Sequence, residues 1–155
     1  MDAWTCGPFR SSRTRIPGRA CGTTGTCTGE PLQVADTSFL YALFSKSDVF
    51  HSKARRAAIS ADAILVPSEI YSETVSLIHC RVGFAAAKSA GGWMRAQKRM
   101  EVAASPRSVL NGCWGIFREA RGRLSYPDAV VLAWCRERRA TPLAFDQAIL
   151  RRAKR

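Results

Sequence analysis

The sequence has few acidic residues, few histidines and no long apolar run. Only 12 Asp and Glu stand against 24 Lys and Arg in 155 residues, so the formal net charge is +12. No stretch approaches the roughly 18 apolar residues of a membrane span, and the N-terminus lacks the apolar core of a signal peptide. We therefore expect a cytoplasmic protein without a membrane anchor. Its charge favours a polyanionic partner, either nucleic acid or an anionic membrane surface, and does not choose between the two.

Cysteine and histidine do not form a zinc-binding pattern. The six cysteines include no C-x-x-C pair, and the two histidines, His51 and His79, do not stand at zinc-finger spacing from any of them. Cys80, Cys113 and Cys135 fall within apolar helical patterns, where a free cysteine usually behaves as a small buried hydrophobe. A structural zinc site is therefore not expected.

The first 30 residues differ in composition from the rest of the chain. They are rich in Gly, Thr, Ser and Arg, contain almost no aliphatic residues and show no helical or strand period. Such a segment buries too little apolar surface to offset its ordering entropy, so residues 1–30 are expected to be a disordered or non-native leader. Residues 31–155 hold 20 Lys and Arg against ten Asp and Glu, so the basic character belongs to the predicted domain.

From residue 32 onward, short apolar segments alternate with amphipathic helical patterns. This alternation predicts an α/β fold with helices on both faces of a central parallel sheet. The predicted strands are 32–35, 64–66, 100–104 and 141–145. Helices are predicted around 39–44, at 48–60, 68–82, 84–99 and 105–122, from 125 onward, and around 149–150. In the second helix, Val49 and Ala54 are expected on the inner side.

Four acidic residues follow the predicted strands at positions where parallel sheets bind ligands. Asp36 and Asp146 come directly after strands, Glu73 lies in the helix after the second strand, and Asp128 lies in the first turn of another helix. Because ligands bind beyond the carboxyl ends of the strands, these four side chains are expected to converge there. Carboxylate oxygens are ligands for Mg²⁺ or Mn²⁺, which activate water for attack on a phosphodiester.

Each acid also has an ordinary structural interpretation. Asp36, Asp128 and Asp146 stand where helix caps or favourable dipole charges occur, and Glu73 could be a solvated surface charge. The alternative function is thus a non-catalytic basic nucleic-acid-binding module. A phosphatase with Asp36 as nucleophile is disfavoured, because Ser38 stands where such enzymes commonly carry a second aspartate.

Four segments resemble, in order, the motif blocks of a known family. They are VADTSFLYALF, DVFHSKA, VPSEIYSETVSLI and LSYPDAVVLAWCRERRATPLAFDQAI. These blocks resemble PIN-domain proteins, in particular the VapC-like toxins of prokaryotic toxin–antitoxin pairs, over about residues 33–150. The resemblance implies a three-layer α/β/α PIN-like domain across residues 31–155. It also implies a metal-dependent endoribonuclease for single-stranded or structured RNA, forming a homodimer and held by an acidic antitoxin.

The resemblance also assigns roles to individual residues. It implies catalytic roles for Asp36, Glu73, Asp128 and Asp146. Of these, Asp36, Asp128 and Asp146 are the implied ligands of Mg²⁺, with Mn²⁺ possible, and Glu73 is a ligand or an orienter of water. Ser38 and Ser125 are the implied polar residues beside the site. Ala144 stands where the closing T-F-D block of the family has a hydroxyl.

Three further assignments concern residues around these acids. Glu69 competes with Glu73, but it falls where the family is variable. His51 matches a D-x-x-H-x-x-A pattern and is expected to be structural rather than a general base. Arginines expected from their location to hold the RNA backbone are Arg81, Arg121, Arg123, Arg138 and Arg139.

Overall fold

A computed structural model of the chain describes residues 32–153. The predicted leader, with its cysteines Cys6, Cys21 and Cys27, lies outside the described residues. Within 32–153, no helix is long and apolar enough to cross a membrane.

Four parallel strands form the described sheet. They are β1 (Gln33–Ala35), β2 (Ile64–Pro67), β3 (Met100–Ala103) and β4 (Thr141–Leu143), in the spatial order β3-β2-β1-β4. Gln33 is in register with Ile64 of β2 and with Thr141 of β4, so the strands begin and end at common edges. All four residues of β2 are buried, as expected for a central strand with covered faces. The predicted parallel α/β fold is confirmed.

The helices alternate with these strands along the chain. They are α1 (Thr37–Phe44), α2 (His51–Ser60), α3 (Ser68–Val82), α4 (Phe84–Ala96), α5 (Arg107–Ala120), α6 (Tyr126–Arg138) and α7 (Gln147–Ala153). The steps from β1 to β2 and from β2 to β3 move in one direction across the sheet, whereas the step from β3 returns to β4. Right-handed crossovers therefore place α5 and α6 on the face opposite α1–α4. The carboxyl ends of β1 and β4 then flank the topological switch point, where such sheets bind ligands.

Helix α6 is the central helix of the domain. Every residue from Ala129 to Cys135 is buried, because α6 packs on β1, β2 and β4 and is itself covered by α5. A helix that is apolar on all sides is stable only in such an enclosed position. Asp128 directly precedes this buried run, so the packing of α6 fixes its distance from the sheet.

Several element boundaries differ from those expected. Helix α2 begins at His51 rather than Asp48, because the Asp48 carboxylate accepts a hydrogen bond from Phe50 N (2.8 Å) and forms a turn before the helix. Val49 therefore lies outside the helix and is 89% exposed, not on its inner side. Strand β4 ends at Leu143, so Asp146 lies in the loop beyond it rather than directly after it.

The expected burial of cysteines is confirmed for two of three. Cys113 and Cys135 are buried, and burial raises the pKa of the Cys135 thiol to about 12. Cys80 is exposed, so its prediction was wrong. Cys80 lies next to His79 on the outer side of α3, whereas Ile78 is the residue that this turn buries.

Two adjacent glycines in α4 differ in their surroundings. A Cβ at Gly91 would lie 2.9 Å from Tyr71 Oη and 3.3 Å from Val75 Cγ2, whereas a Cβ at Gly92 meets nothing within 4 Å. Gly91 thus permits the close approach of α4 to α3, which the helical pattern alone does not reveal.

We expect Gly92→Ala to stabilise the protein by about 0.5–1 kcal/mol, because alanine favours a helix over glycine. Gly91→Ala should stabilise the protein less than Gly92→Ala does, or should destabilise it, because the new Cβ must displace Tyr71 and Val75. Urea unfolding of the two variants provides the comparison. Equal stabilisation by both would show that α3 and α4 do not approach as closely as the structure indicates.

Candidate active site

Asp36 lies at the carboxyl end of β1 and begins α1. Its backbone N–H donates to Leu143 O of β4 (3.0 Å), and its carbonyl accepts from Leu40 N. Its carboxylate caps α1 by accepting from Ser38 N (3.0 Å) and also accepts from Ser38 Oγ (2.6 Å). These contacts hold the carboxylate at the sheet edge, where it is only 4% exposed.

The surroundings of Asp36 disfavour its charge. Burial raises the pKa of its carboxyl above the ordinary value, and the negative charge of Asp128 raises it further. The hydrogen bonds from Ser38 and the Thr37 backbone act in the opposite direction, but the net shift is upward. Within residues 32–153, no basic side chain contributes to this shift. A cation stabilises a buried carboxylate on which a second negative charge also acts.

Glu73 is connected to this site by a side-chain contact. The Thr37 hydroxyl, directly after Asp36, donates a short hydrogen bond to Glu73 Oε2. Glu73 is exposed and lies in the second turn of α3, so its longer side chain reaches toward the start of α1. Thr37 was not among the predicted site residues. The hydroxyl next to the first acid was the available sequence signal for it.

Asp128 forms the N-terminal cap of α6 together with Ser125. Asp128 N donates to Ser125 Oγ (3.2 Å), and Ser125 N donates to Asp128 Oδ2 (2.8 Å), which is a complete capping box. Asp128 is half-buried, and its charge reaches Asp36. A carboxylate has two oxygens, each with two lone pairs, so capping through Oδ2 is compatible with binding a ligand.

Asp146 lies in the loop between β4 and α7, and its side chain is exposed. Ser38 Oγ accepts a hydrogen bond from Phe145 N (3.2 Å), which ties the loop after β4 to the first turn of α1. The Asp146 carboxylate accepts from Ala148 N (2.7 Å) and so caps the short helix α7. The structure thus places Asp146 at the correct edge of the sheet, with one of its oxygens, Oδ1, used for capping.

The segment 36–38 therefore joins the three elements that carry the other acids. Within residues 32–153, no group of three or more His, Cys, Asp or Glu side chains lies close enough to hold a metal ion. Electrostatic interaction links Asp36 to Asp128, Thr37 links the segment to Glu73, and Ser38 links it to the loop of Asp146. Mg²⁺ is commonly held by only one or two carboxylates, with waters and substrate phosphates completing its shell.

Glu69 and His51 have structural partners. Glu69 Oε2 accepts hydrogen bonds from Ser68 Oγ (3.1 Å) and Ser105 Oγ (2.9 Å), and Ser105 Oγ accepts from Trp134 Nε1 (3.0 Å). This network connects the start of α3, the segment between β3 and α5, and α6, which supports Glu73 rather than Glu69 as the site acid. His51 Nδ1 lies 2.8 Å from Ala42 O and ties α2 to α1, in agreement with the structural role expected for it.

The five predicted RNA-binding arginines lie in two regions. Arg121 and Arg123 precede Ser125, at the end of α6 that carries Asp128. Arg138 and Arg139 lie at the opposite end of α6, about 18 Å away along a 13-residue helix. Arg81 is in the last turn of α3, remote from Glu73, and lies over the Tyr41 ring at 5.1 Å. Of the five, Arg121 and Arg123 are therefore the closest to Asp128 along the chain.

Comparison with known proteins agrees with this architecture. The PIN-domain family model matches residues 34–155. Among solved structures, the chain is similar to VapC20 of Mycobacterium tuberculosis, described as a toxin that cleaves the sarcin-ricin loop. The two are 26% identical with a TM-score of 0.68, and the match covers 76% of this chain and 92% of VapC20. Among curated proteins, none matches significantly. The family and this neighbour together support a nuclease of the toxin type.

Asp36→Asn should stabilise the metal-free protein at neutral pH, because folding of the wild type buries an ionised carboxylate. A raised pKa means that the folded state holds the proton more tightly than the unfolded state. Wild-type stability should therefore fall as pH rises from the ordinary carboxyl value of 3.8 through the raised value. The variant should therefore be more stable than the wild type at pH 7 and no more stable than it below about pH 4.

Urea unfolding in EDTA across this pH range measures the effect, with Asp62→Asn as the control because Asp62 is exposed at the opposite edge of the sheet. If Asp36→Asn raised the free energy of unfolding equally at both ends of the pH range, or did not raise it at pH 7, Asp36 would not lie in an environment that disfavours its charge.

Proposed function

The chain belongs to the PIN-domain family, and we propose that it is a divalent-metal-dependent endoribonuclease that acts as the toxin of a toxin–antitoxin pair. The observation that carries this proposal is the Asp36 carboxylate, which is buried at the switch point of the sheet and interacts electrostatically with Asp128. The family and the similarity to an RNA-cleaving toxin support RNA as substrate. An RNA substrate also supports action in the cytoplasm.

The residues present fit a hard divalent cation. The groups gathered around segment 36–38 are carboxylates and hydroxyls, which are oxygen donors suited to Mg²⁺ or Mn²⁺ rather than to Zn²⁺. A cation would also offset the burial of the Asp36 charge, which raises the pKa of Asp36, and the smaller repulsion from Asp128. Asp36 and Asp128 would hold it, with Asp146 contributing through water.

The chain's own residues would perform the remaining steps. When bound, the cation supplies a water of lowered pKa and neutralises charge on the phosphodiester. Glu73 is fixed by the Thr37 hydroxyl, so its carboxylate can orient the attacking water and accept a proton. Ser38 holds Asp36 in place through two hydrogen bonds. Arg121 and Arg123 lie where they can contact the RNA backbone.

The proposed partners follow from charge and from the similarity to a toxin. Residues 31–155 carry twice as many basic as acidic side chains, and four of the ten acids are assigned to the site. This surface suits both RNA and an acidic antitoxin. A homodimer is also proposed. Trp114 (54% exposed) and Leu110 (39% exposed) on α5 are large apolar side chains of the kind that interfaces bury.

A second candidate function is a non-catalytic nucleic-acid-binding module. It is favoured by the observation that Asp128 and Asp146 both cap helices, which would account for their positions without a metal. This candidate predicts RNA binding that is sensitive to salt but indifferent to EDTA. Asp36 caps α1 as well, but capping alone gives no reason for burying this carboxylate near the negative charge of Asp128, so we rank this candidate second.

Asp36→Asn and Asp128→Asn should each lower Mg²⁺- or Mn²⁺-dependent cleavage of single-stranded RNA by at least about 100-fold, because each removes a charge that would hold the cation. Asp62→Asn should cleave like the wild type. The rate is measured on a labelled RNA with and without EDTA. Equal rates for wild type and Asp36→Asn would refute the proposed function.

Arg121→Gln should weaken RNA binding and lower the slope of log affinity against log salt by about 1. Arg139→Gln is a matched control, because both arginines end a helix in the left-handed conformation, at φ 48° and 51°, and both are exposed. Fluorescence anisotropy at several salt concentrations measures both slopes. Similar decreases in RNA affinity and in salt slope for the two variants would show that the RNA does not bind beside Asp128.

A further inference from the structure

An aromatic pair, of which one ring is exposed and the other partly buried, lies beside the site and has no role in the proposed chemistry. The rings of Phe50 and Phe145 are stacked, with centroids 4.7 Å apart and planes inclined by 14°. Phe145 also contacts the buried Phe39, at 6.3 Å between centroids. Phe50 is the outermost of the three and remains 44% exposed.

Hydrogen bonds that involve side chains anchor the main chain of both residues near Asp36. Phe145 N donates to Ser38 Oγ (3.2 Å), and Ser38 Oγ donates to Asp36 Oδ2 (2.6 Å). On the other side, Phe50 N donates to the Asp48 carboxylate (2.8 Å). The contact between His51 Nδ1 and Ala42 O ties the same turn to α1. With the main chain anchored in this way, the stacking contact with Phe145 positions the ring of Phe50.

Positive charge accompanies the pair. Lys53 Nζ lies 5.6 Å from the centroid of the Phe145 ring and is exposed. Lys53, Arg55 and Arg56 give α2 three basic residues, and the helix contains no acidic residue. An aromatic face next to a cation is the combination with which proteins bind single-stranded nucleic acid, since bases stack and phosphates pair with the cation.

We propose that Phe50 is a stacking platform for a base of the bound RNA, and that Lys53 contacts a phosphate of the same strand. The proposal rests on the proposed function, because it takes the RNA cleaved at Asp36 as the occupant. Phe145 supports the platform from below, and the next residue, Asp146, lies at the proposed site. A strand whose phosphate lies at Asp36 thereby has an adjacent base within the region of Phe50.

The first test measures RNA affinity without cleavage. Phe50→Leu is made in the Asp36→Asn background and compared with Phe84→Leu in the same background. Leucine keeps apolar bulk but removes the flat ring. Phe84 is 70% exposed at the start of α4, at the end of α3 remote from Glu73, so it is a matched control. Phe50→Leu should weaken binding of a labelled single-stranded RNA by about fivefold or more.

The second test leaves the protein unchanged. A set of RNA oligonucleotides each lacks one base but keeps the phosphate backbone. One of these abasic RNAs should bind the Asp36→Asn protein about fivefold or more weakly, and Phe50→Leu should have no further effect on that RNA. This loss of the mutational effect identifies base stacking, which a general disturbance of α2 would not produce.

A third comparison concerns the cation. Lys53→Gln should lower the salt dependence of RNA affinity by about one unit of slope, whereas Lys88→Gln, an exposed lysine of α4, should not.

The outcomes separate this proposal from the proposed function. If Asp36→Asn abolishes cleavage but Phe50→Leu binds every RNA as its background does, the platform is refuted and the nuclease stands. If the wild type binds RNA through Phe50 but does not cleave it, the nuclease is refuted and the platform stands. Unchanged RNA binding together with loss of binding to an acidic protein partner would assign Phe50 to that partner and would overturn the proposal.

Discussion

The hydrogen bonds from Ser38 to Asp36 are the interaction on which the rest of the site depends. They retain a carboxylate at 4% exposure, where burial and a neighbouring negative charge would otherwise exclude it. The same hydroxyl accepts from Phe145 N and so joins the first turn of α1 to the loop that follows β4. One serine thus holds the first acid and ties it to the loop that carries Asp146. The protein keeps a charge-disfavouring pocket whose cost a bound cation would offset.

Helix capping and the candidate chemistry use the same side chains. Asp36, Asp128 and Asp146 each cap a helix that begins at the carboxyl edge of the sheet. One side chain can serve both purposes, because a helix N-terminus stabilises negative charge and also fixes the side chain that carries it. The burial of α6 along Ala129–Cys135 extends the constraint, because Asp128 cannot move without repacking that helix. The structural and functional interpretations of these acids are therefore compatible with each other.

Much of this architecture could be predicted from the sequence, because alternating strands and helices constrain the order of a parallel sheet. The placement of Asp36 at a strand end needed only local pattern, and the four motif blocks ordered the remaining acids. Contacts between distant segments could not be predicted. The Thr37 hydroxyl reaches Glu73 across 36 residues, and Phe50 stacks on Phe145 only in the folded chain. The sequence also does not show which end of α6 carries the site, so it could not separate Arg121 and Arg123 from Arg138 and Arg139.

The central claim is that Asp36 and Asp128 hold a divalent cation at the sheet edge. The most direct measurement is anomalous diffraction from crystals of the protein grown with Mn²⁺, compared with crystals of Asp36→Asn prepared identically. The account predicts an anomalous peak within about 2.3 Å of the Asp36 carboxylate and adjacent to Asp128 in the wild type, and its absence in the variant. A wild-type crystal with Mn²⁺ bound elsewhere and none at Asp36, or the same peak in both proteins, would contradict it.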